Sequence, residues 1–236
     1  MFNFKEFLKG MKAGLPVCAG YFSVSFGFGS MAVAQGLSAL NAVLISASNL
    51  TSAGQFAGLT VIVSGATILE LILTQLIINS RYALMSLALG QKFGPSVGFW
   101  KRLVCAFFNT DEIFAIGMSQ KGALSPAFFV GAGVCAALGW TGGTALGGIA
   151  GSILPLDIRA SLSVMLYGMF IAIVTPQAKQ EKAMLVNMLL ALIFSCAFNW
   201  IPGLNKVSDG LVIVICTVAA AAICAILFPV KEEVAQ

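Results

Sequence analysis

The chain has no histidine among its 236 residues. That removes the commonest general base, the commonest metal ligand and the usual pH switch near neutrality. Charge is scarce as well: 9% of residues are charged, where a soluble domain carries about 25%. No polar stretch is long enough to form a separate soluble domain. The six cysteines lie scattered in apolar segments and form no C-x-x-C pair. They read as small buried hydrophobes, not a metal or redox site. No nucleophile–base motif is present, which speaks against an intramembrane enzyme. Neither a cofactor nor a metal is expected. The net charge of +4 does not point to nucleic acid, because the basic residues form short clusters between apolar runs.

What remains is apolar. Hydrophobic residues make up 59% of the chain and the mean hydropathy is +0.97. This composition predicts an all-α polytopic membrane protein, with residues 1–236 forming a single transmembrane transporter domain. Residues 1–12 read as an amphipathic surface lead-in. Taking about 20 apolar residues per crossing predicts about seven spans. They fall roughly at 14–37, 56–78, 103–120, 126–150, 160–176, 183–200 and 211–228. The run after the first lysines is too long for a cleaved signal and reads as a retained span. Residues 83–89 are too few to cross and suggest a short interfacial or re-entrant helix. Basic residues favour a cytoplasmic N-terminus and an outer C-terminus.

One stretch organises the reading. Ser46–Gln55 carries Ser46, Ser48, Asn49, Thr51, Ser52 and Gln55 inside a long uncharged run. Polar side chains within a bilayer need partners or a cavity. Ser, Asn and Thr compete for backbone hydrogen bonds, and Gly54 relaxes the chain. The prediction is a helix that breaks or starts late, with free N–H groups near Ser52–Gln55 that attract an anion. Broken helices hold the substrate in many secondary transporters. The plainer alternative is that these small residues merely let helices pack. On the transporter reading, Ser48, Asn49, Ser52, Gly54, Gln55, Phe56 and Asp111 are the candidate substrate-binding residues. Gly27, Gly29, Gly142 and Gly143 are candidate helix-break glycines.

Charges within spans cost about 2.5–3.5 kcal/mol each on insertion scales. Glu70, Arg81 and Glu112 are therefore read as coupling or structural charges. A pairing of Arg81 with Asp111 from another helix is expected, since each otherwise lacks a partner. The alternative is that Arg81 snorkels to the headgroups. A gapless shift of 114 residues places Gly29-Ser30 on Gly143-Thr144 and the first span on the fourth. It suggests an inverted repeat with halves 12–125 and 126–236.

Several segments, in order, resemble a known family. Ser25-Phe26-Gly27, Ala53-Gly54-Gln55-Phe56, Asn79-Ser80-Arg81-Tyr82-Ala83-Leu84, Thr110-Asp111-Glu112 and Gly139-Trp140 before Gly143-Thr144 are similar to AzlC-type proteins. These are the large subunits of branched-chain amino acid exporters (azaleucine resistance, LIV-E). The resemblance implies a permease exporting leucine, isoleucine, valine or other small apolar amino acids across the inner membrane. It also implies a small AzlD-type membrane subunit as partner. Two positions depart from that pattern: Ser25 replaces a usual proline, and Tyr82 replaces a common histidine. Proton coupling and substrate are both open to change as a result. The alternatives are a passive channel for a small neutral solute and a non-transporting assembly subunit.

Overall fold

The computed structural model describes residues 3–153, 178–179 and 181–229. Among these residues there are ten α-helices and no strand. They are α1 (Phe4–Ala34), α2 (Ala39–Ser48), α3 (Ser52–Val63), α4 (Ile68–Ile78), α5 (Arg81–Phe93), α6 (Phe99–Phe107), α7 (Asp111–Met118), α8 (Pro126–Ile153), α9 (Lys182–Trp200) and α10 (Asp209–Leu227). Four of them are long and apolar enough to cross a membrane, or up to five if α4 and α5 are counted as one broken span. The chain is an all-α membrane protein, but about seven full spans are not what these helices make. The predicted span at 160–176 lies outside the described residues.

The shortfall comes from helix breaks. The run 56–78 is two half-length helices, because Gly65 adopts φ 68° and ends α3. Thr67 Oγ1 then accepts from Glu70 N–H at 3.3 Å and starts α4. Glu70 is thus a first-turn acid of α4, as in a capping box, and not a charge in the middle of a span. The run 103–120 is likewise cut at Phe108–Thr110 into α6 and α7. With 9 and 8 residues these reach about 13 Å and 12 Å, under half of a ~30 Å hydrocarbon core. The lead-in is not separate: α1 begins at Phe4 with Asn3 as its N-cap.

The helices form two compact units. The first contains the chain up to Phe56 and resumes at Asn79 to include α5–α8. Its spine is the pair α1 and α8. A Cβ placed on Gly139, Gly143 or Gly147 would overlap the backbone carbonyl of Cys18, Phe22 or Phe26 respectively. Both series repeat every fourth residue, which is one face of each helix. The partner numbers rise together, so α1 and α8 run parallel.

That direction corrects the repeat. Inverted halves would set the first and fourth spans antiparallel, so the 114-residue match does not relate inverted halves through α1 and α8. The predicted helix breaks at Gly27, Gly29, Gly142 and Gly143 are also corrected. Both helices run through these positions unbroken. Gly29 faces the Thr144 carbonyl and Gly143 faces Ser25 and Phe22, so their missing side chains serve close packing. At Gly27 an added Cβ would meet nothing within 4 Å.

Around this spine the short helices enter from opposite ends. Gly36, at φ 97°, ends α1, and Ser38 Oγ caps α2 by accepting from Asn41 N–H at 3.1 Å. Ala39 lies beside Gly148, while Ser46 bonds Thr144 at 2.7 Å. Hence α2 descends from the end where α8 finishes. By contrast α6 rises from the end where α8 begins, with Cys105 Sγ 3.9 Å from the Pro126 carbonyl and Phe108 against Gly133. Then α7 turns back, since Gly117 packs on Phe129 and Leu124. The segment 99–118 is therefore a re-entrant hairpin. Leu89, Phe93, Cys105, Ile113 and Phe129 bury its base in one apolar cluster.

The second unit contains Ala57–Ile78, α9 and α10. Thr74 Oγ1 donates to the Gly210 carbonyl at 3.3 Å, joining α4 to α10. Cys224 Sγ lies 3.7 Å from the Ala183 carbonyl, joining α10 to α9.

Candidate functional site

Inside the first unit, both helix breaks carry the same chemistry. At the first, α2 ends on Asn49, whose extended backbone (φ −141°, ψ 110°) leaves the helix. Asn49 Oδ1 then accepts from Thr51 N–H at 3.2 Å, and α3 starts at Ser52. At the second, Asn109 is followed by Thr110, whose Oγ1 caps α7 by accepting from Ile113 N–H at 3.4 Å. Each break is an asparagine and a threonine just ahead of a helix start. Short polar side chains replace the lost backbone partners there. The starts of α3 and α7 turn their positive helix ends toward these breaks.

The two breaks share a cavity of about 150 Å³, lined by Ser48, Asn49, Leu50, Thr51, Tyr82, Ala106, Phe107, Asn109 and Thr110. Asn109 is only 5% exposed. Its Nδ2 donates to Ser86 Oγ at 3.2 Å, while its Oδ1 is buried without a hydrogen-bond partner, as is Thr51 Oγ1. Buried polar atoms are nearly always paired, so two unpaired acceptors on one small cavity mark a place where a solute's donors fit.

Beside the cavity stand the charges. Arg81 Nη1 donates to Asp111 Oδ2 at 2.5 Å, and the guanidinium carbon lies 5.0 Å from the Tyr82 ring centre. The expected pairing of these residues is present. Both begin helices, Arg81 in α5 and Asp111 in α7. Asp111 suits the positive end of its helix, whereas Arg81 does not, so the ion pair is what holds the arginine there. Glu112 points elsewhere: it accepts a short hydrogen bond from the Tyr21 hydroxyl of α1. That hydroxyl also lies 2.8 Å from Thr110 Oγ1, and the Tyr21 ring packs edge-on against Trp140 at 5.3 Å. Glu70 belongs to the second unit, where its Oε2 is buried without a hydrogen-bond partner.

The predicted polar stretch divides in two. Ser48 and Asn49 line the cavity; Ser52, Gly54, Gln55 and Phe56 do not. Gln55, 1% exposed, closes a ring of hydrogen bonds. Trp140 Nε1 donates to Gln55 Oε1 at 2.9 Å, and Gln55 Nε2 donates to Ser46 Oγ at 2.5 Å. Ser46 pairs with Thr144 at 2.7 Å, and Thr144 Oγ1 donates to the Trp140 carbonyl at 3.0 Å. Phe56 packs edge-on against Phe28 at 5.2 Å. Gln55 therefore fixes the break against α8 and has no polar atom left for a solute. Gln55→Ala is expected to lower the thermal midpoint of the detergent-purified protein. Each buried group left unpaired costs about 1–3 kcal/mol. An unchanged midpoint would show that the ring is incidental.

Comparison with known proteins agrees with this layout. The family described as AzlC protein matches residues 16–154, more than half of the chain. The chain belongs to the AzlC family. The matched region spans α1 through α8, so it contains both helix breaks and the cavity. Among related AzlC chains, an uncharacterized membrane protein of Archaeoglobus fulgidus is 31% identical over 175 residues, covering 73% of this chain and 76% of that one. The inner membrane protein YgaZ of Escherichia coli K12 is 26% identical over 188 residues, covering 77% of each. An uncharacterized membrane protein of Helicobacter pylori is 25% identical over 182 residues, covering 74% and 78%. No solved structure matches the chain.

Asn109, Thr51 and Tyr21 were not among the residues singled out from sequence for binding. A signal for the first two was present. Asn-x-Thr at Asn49–Thr51 and Asn-Thr at Asn109-Thr110 are helix-start residues placed inside apolar runs. Tyr21 carried none, because a lone tyrosine in a span is ordinary.

Proposed function

We propose that this AzlC protein is a secondary transporter exporting branched-chain or other small apolar amino acids across the inner membrane. The observation that carries the reading is the polar cavity between two interrupted helices. A solute carboxylate would lie toward Thr51 and Thr110, the lining residues just ahead of α3 and α7, where the positive helix ends favour an anion. Its ammonium would donate to Asn109 Oδ1 and Thr51 Oγ1, the two unpaired acceptors. Leu50, Ala106 and Phe107 offer the apolar wall for an aliphatic tail. A volume of about 150 Å³ suits a small solute; an engineered cavity of that size holds benzene. Asp111, a candidate substrate-binding residue on the sequence, is engaged by Arg81 instead.

Charge supports the orientation in the membrane. Lys5, Lys9 and Lys12 lie near the start of α1, Lys92 ends α5, Lys101 and Arg102 start α6, and Lys121 follows α7. All fall at the end of the first unit where α1 and α8 begin. The opposite end, between α1 and α2, carries no charge from Gln35 to Ser38. Placing the basic end in the cytoplasm follows the positive-inside rule and makes the N-terminus cytoplasmic. A small AzlD-type subunit belongs to this proposal on the family resemblance alone.

Counterflow in liposomes is the test. Vesicles loaded with unlabelled leucine should accumulate external labelled leucine transiently, and glycine loading should not substitute. Asn109→Leu and Thr51→Val are each expected to lower the initial rate roughly 10-fold or more, the loss of one buried polar contact. Leak without exchange would favour a channel. Full exchange by both variants would remove the site assignment.

A further inference from the structure

A second cavity, of about 280 Å³, lies between α5 and α6 and is lined by Ser86, Leu89, Gly90, Phe93, Phe99, Arg102, Leu103, Cys105 and Ala106. Its residues fall on one stripe of each helix. On α5, Tyr82, Ser86, Leu89 or Gly90, and Phe93 recur every third or fourth position. On α6, Phe99, Arg102 or Leu103, and Ala106 do the same. The upper members, Tyr82 and Ala106, line the smaller central cavity, and Ala106 lines both. The lower members lie where α5 ends and α6 begins. Leu124 N–H donates to the Lys92 carbonyl there at 2.9 Å, tying that end of α5 to the segment leading into α8. The two cavities follow one another along the α5–α6 seam and share Ala106.

A polar contact links the two linings. Ser86, from the lower cavity, accepts from Asn109 Nδ2, from the upper one, at 3.2 Å. The rest of Asn109 is buried, and its Oδ1 is unpaired. By contrast, the mouth of the crevice is firmly built. The Arg102 guanidinium donates to the carbonyls of Val97, Gly90 and Gly94 at 2.8, 2.9 and 2.5 Å. It satisfies the carbonyls that the end of α5 leaves open. A fixed mouth and a single side-chain latch are the parts of a gated entrance.

We propose that the α5–α6 crevice is the route by which solute reaches the central cavity from the end where α8 begins, and that the Asn109–Ser86 hydrogen bond is its latch. This rests on the transporter reading, but its test need not. Asn109 serves twice: its amide nitrogen holds the latch, while its oxygen, buried without a hydrogen-bond partner, is left for a solute. A solute that draws the amide toward itself releases Ser86. Loading and gating then act through one side chain.

The experiment places a reporter thiol at Thr51→Cys, in full-length protein whose native cysteines are replaced by alanine. It is reacted with the membrane-impermeant reagent methanethiosulfonate ethylsulfonate, in inside-out and right-side-out vesicles. Labelling is expected from the face that carries the Lys5–Lys12 end and not from the other. Ser86→Ala should speed it roughly five-fold, the factor set by one ordinary hydrogen bond. Ala106→Trp and, independently, Gly90→Leu should slow it at least as much by filling the crevice at two levels. Each variant is first shown to elute as a single species in detergent. If Ala106→Trp fails that check, Gly90→Leu decides. Labelling from the opposite face only, or at a rate indifferent to both fillers and to Ser86→Ala, overturns the route. Leucine counterflow run in parallel on vesicles of the same cysteine-free protein that keeps Thr51 separates the two ideas. The labelling pattern without counterflow keeps the crevice and removes the transporter. Counterflow without the pattern does the reverse.

Discussion

Gly147→Leu is expected to eliminate monodisperse protein, while Gly27→Ala leaves it folded. A Cβ at position 147 would overlap the carbonyl oxygen and carbon of Phe26. Those are backbone atoms of a continuous helix and cannot swing aside like a side-chain tip. To admit leucine, α1 and α8 would have to separate along the face they share. Every contact in the four-residue series from Cys18 and Gly139 onward would loosen with them. An extra group in a packed core usually costs about 1–3 kcal/mol. A whole helix pair forced apart costs more, against a total stability of about 5–15 kcal/mol. At Gly27 an added methyl meets nothing within 4 Å, and alanine is the better helix former by up to about 1 kcal/mol. Size-exclusion profiles and thermal midpoints in one detergent check both. A sharp single peak for Gly147→Leu would mean that the two helices are not held at this distance.

Asp111→Asn is the second change with a large expected effect. It leaves the Arg81 guanidinium beside a neutral amide at a helix start that already disfavours a cation. An unpaired arginine at the centre of a span costs about 2.5–3.5 kcal/mol on insertion scales; Arg81 stands at a helix start with 43% of its side chain exposed, so that figure is an upper bound. The variant should therefore express poorly or exchange leucine at background. Arg81→Met removes the cation and leaves Asp111 at the start of α7, where the helix end stabilises an anion. It should fold better than Asp111→Asn, although it loses the link between α5 and α7. The charge swap Arg81→Asp with Asp111→Arg restores the pair and suits α5, but now sets an arginine at the start of α7. Partial recovery is the expected result, measured as yield and counterflow rate. A swap no better than the worse single variant would mean that the pair does not join these helices.

Much of the site's chemistry was readable before any coordinates. Ser46–Gln55 announces an interruption because so many hydrogen-bonding side chains sit in an uncharged run. Asn109-Thr110-Asp111-Glu112 places four polar residues together inside the run predicted as one span at 103–120. The Arg81–Asp111 pair follows from two opposite charges with no other partner in sight. Gln55 and Asn109 were harder. Both are uncharged amides next to a helix break, and local sequence treats them alike. One closes a hydrogen-bonded ring with Trp140 and Ser46, and the other lines a cavity and keeps a buried oxygen without a partner. That difference depends on what stands opposite, 85 residues away for Gln55 and Trp140.

The amino-acid order alone determined that the protein is helical and membrane-embedded, because its uncharged runs reach the ~20 residues of a helical span, and within a helix every backbone group is satisfied in lipid. It also determined where helices stop, because Gly36, Gly65, Asn49 and Thr110 act through their own neighbours. Direction and partnership were decided by the tertiary structure. Gly27 and Gly29 are nearly adjacent on α1, yet one faces open space and the other a carbonyl of α8. That α1 and α8 run parallel, and that 99–118 turns back on itself, depends on contacts between segments far apart in the chain. Apolar periodicity marks which face of a helix is buried, but it is the same whichever way the helix points.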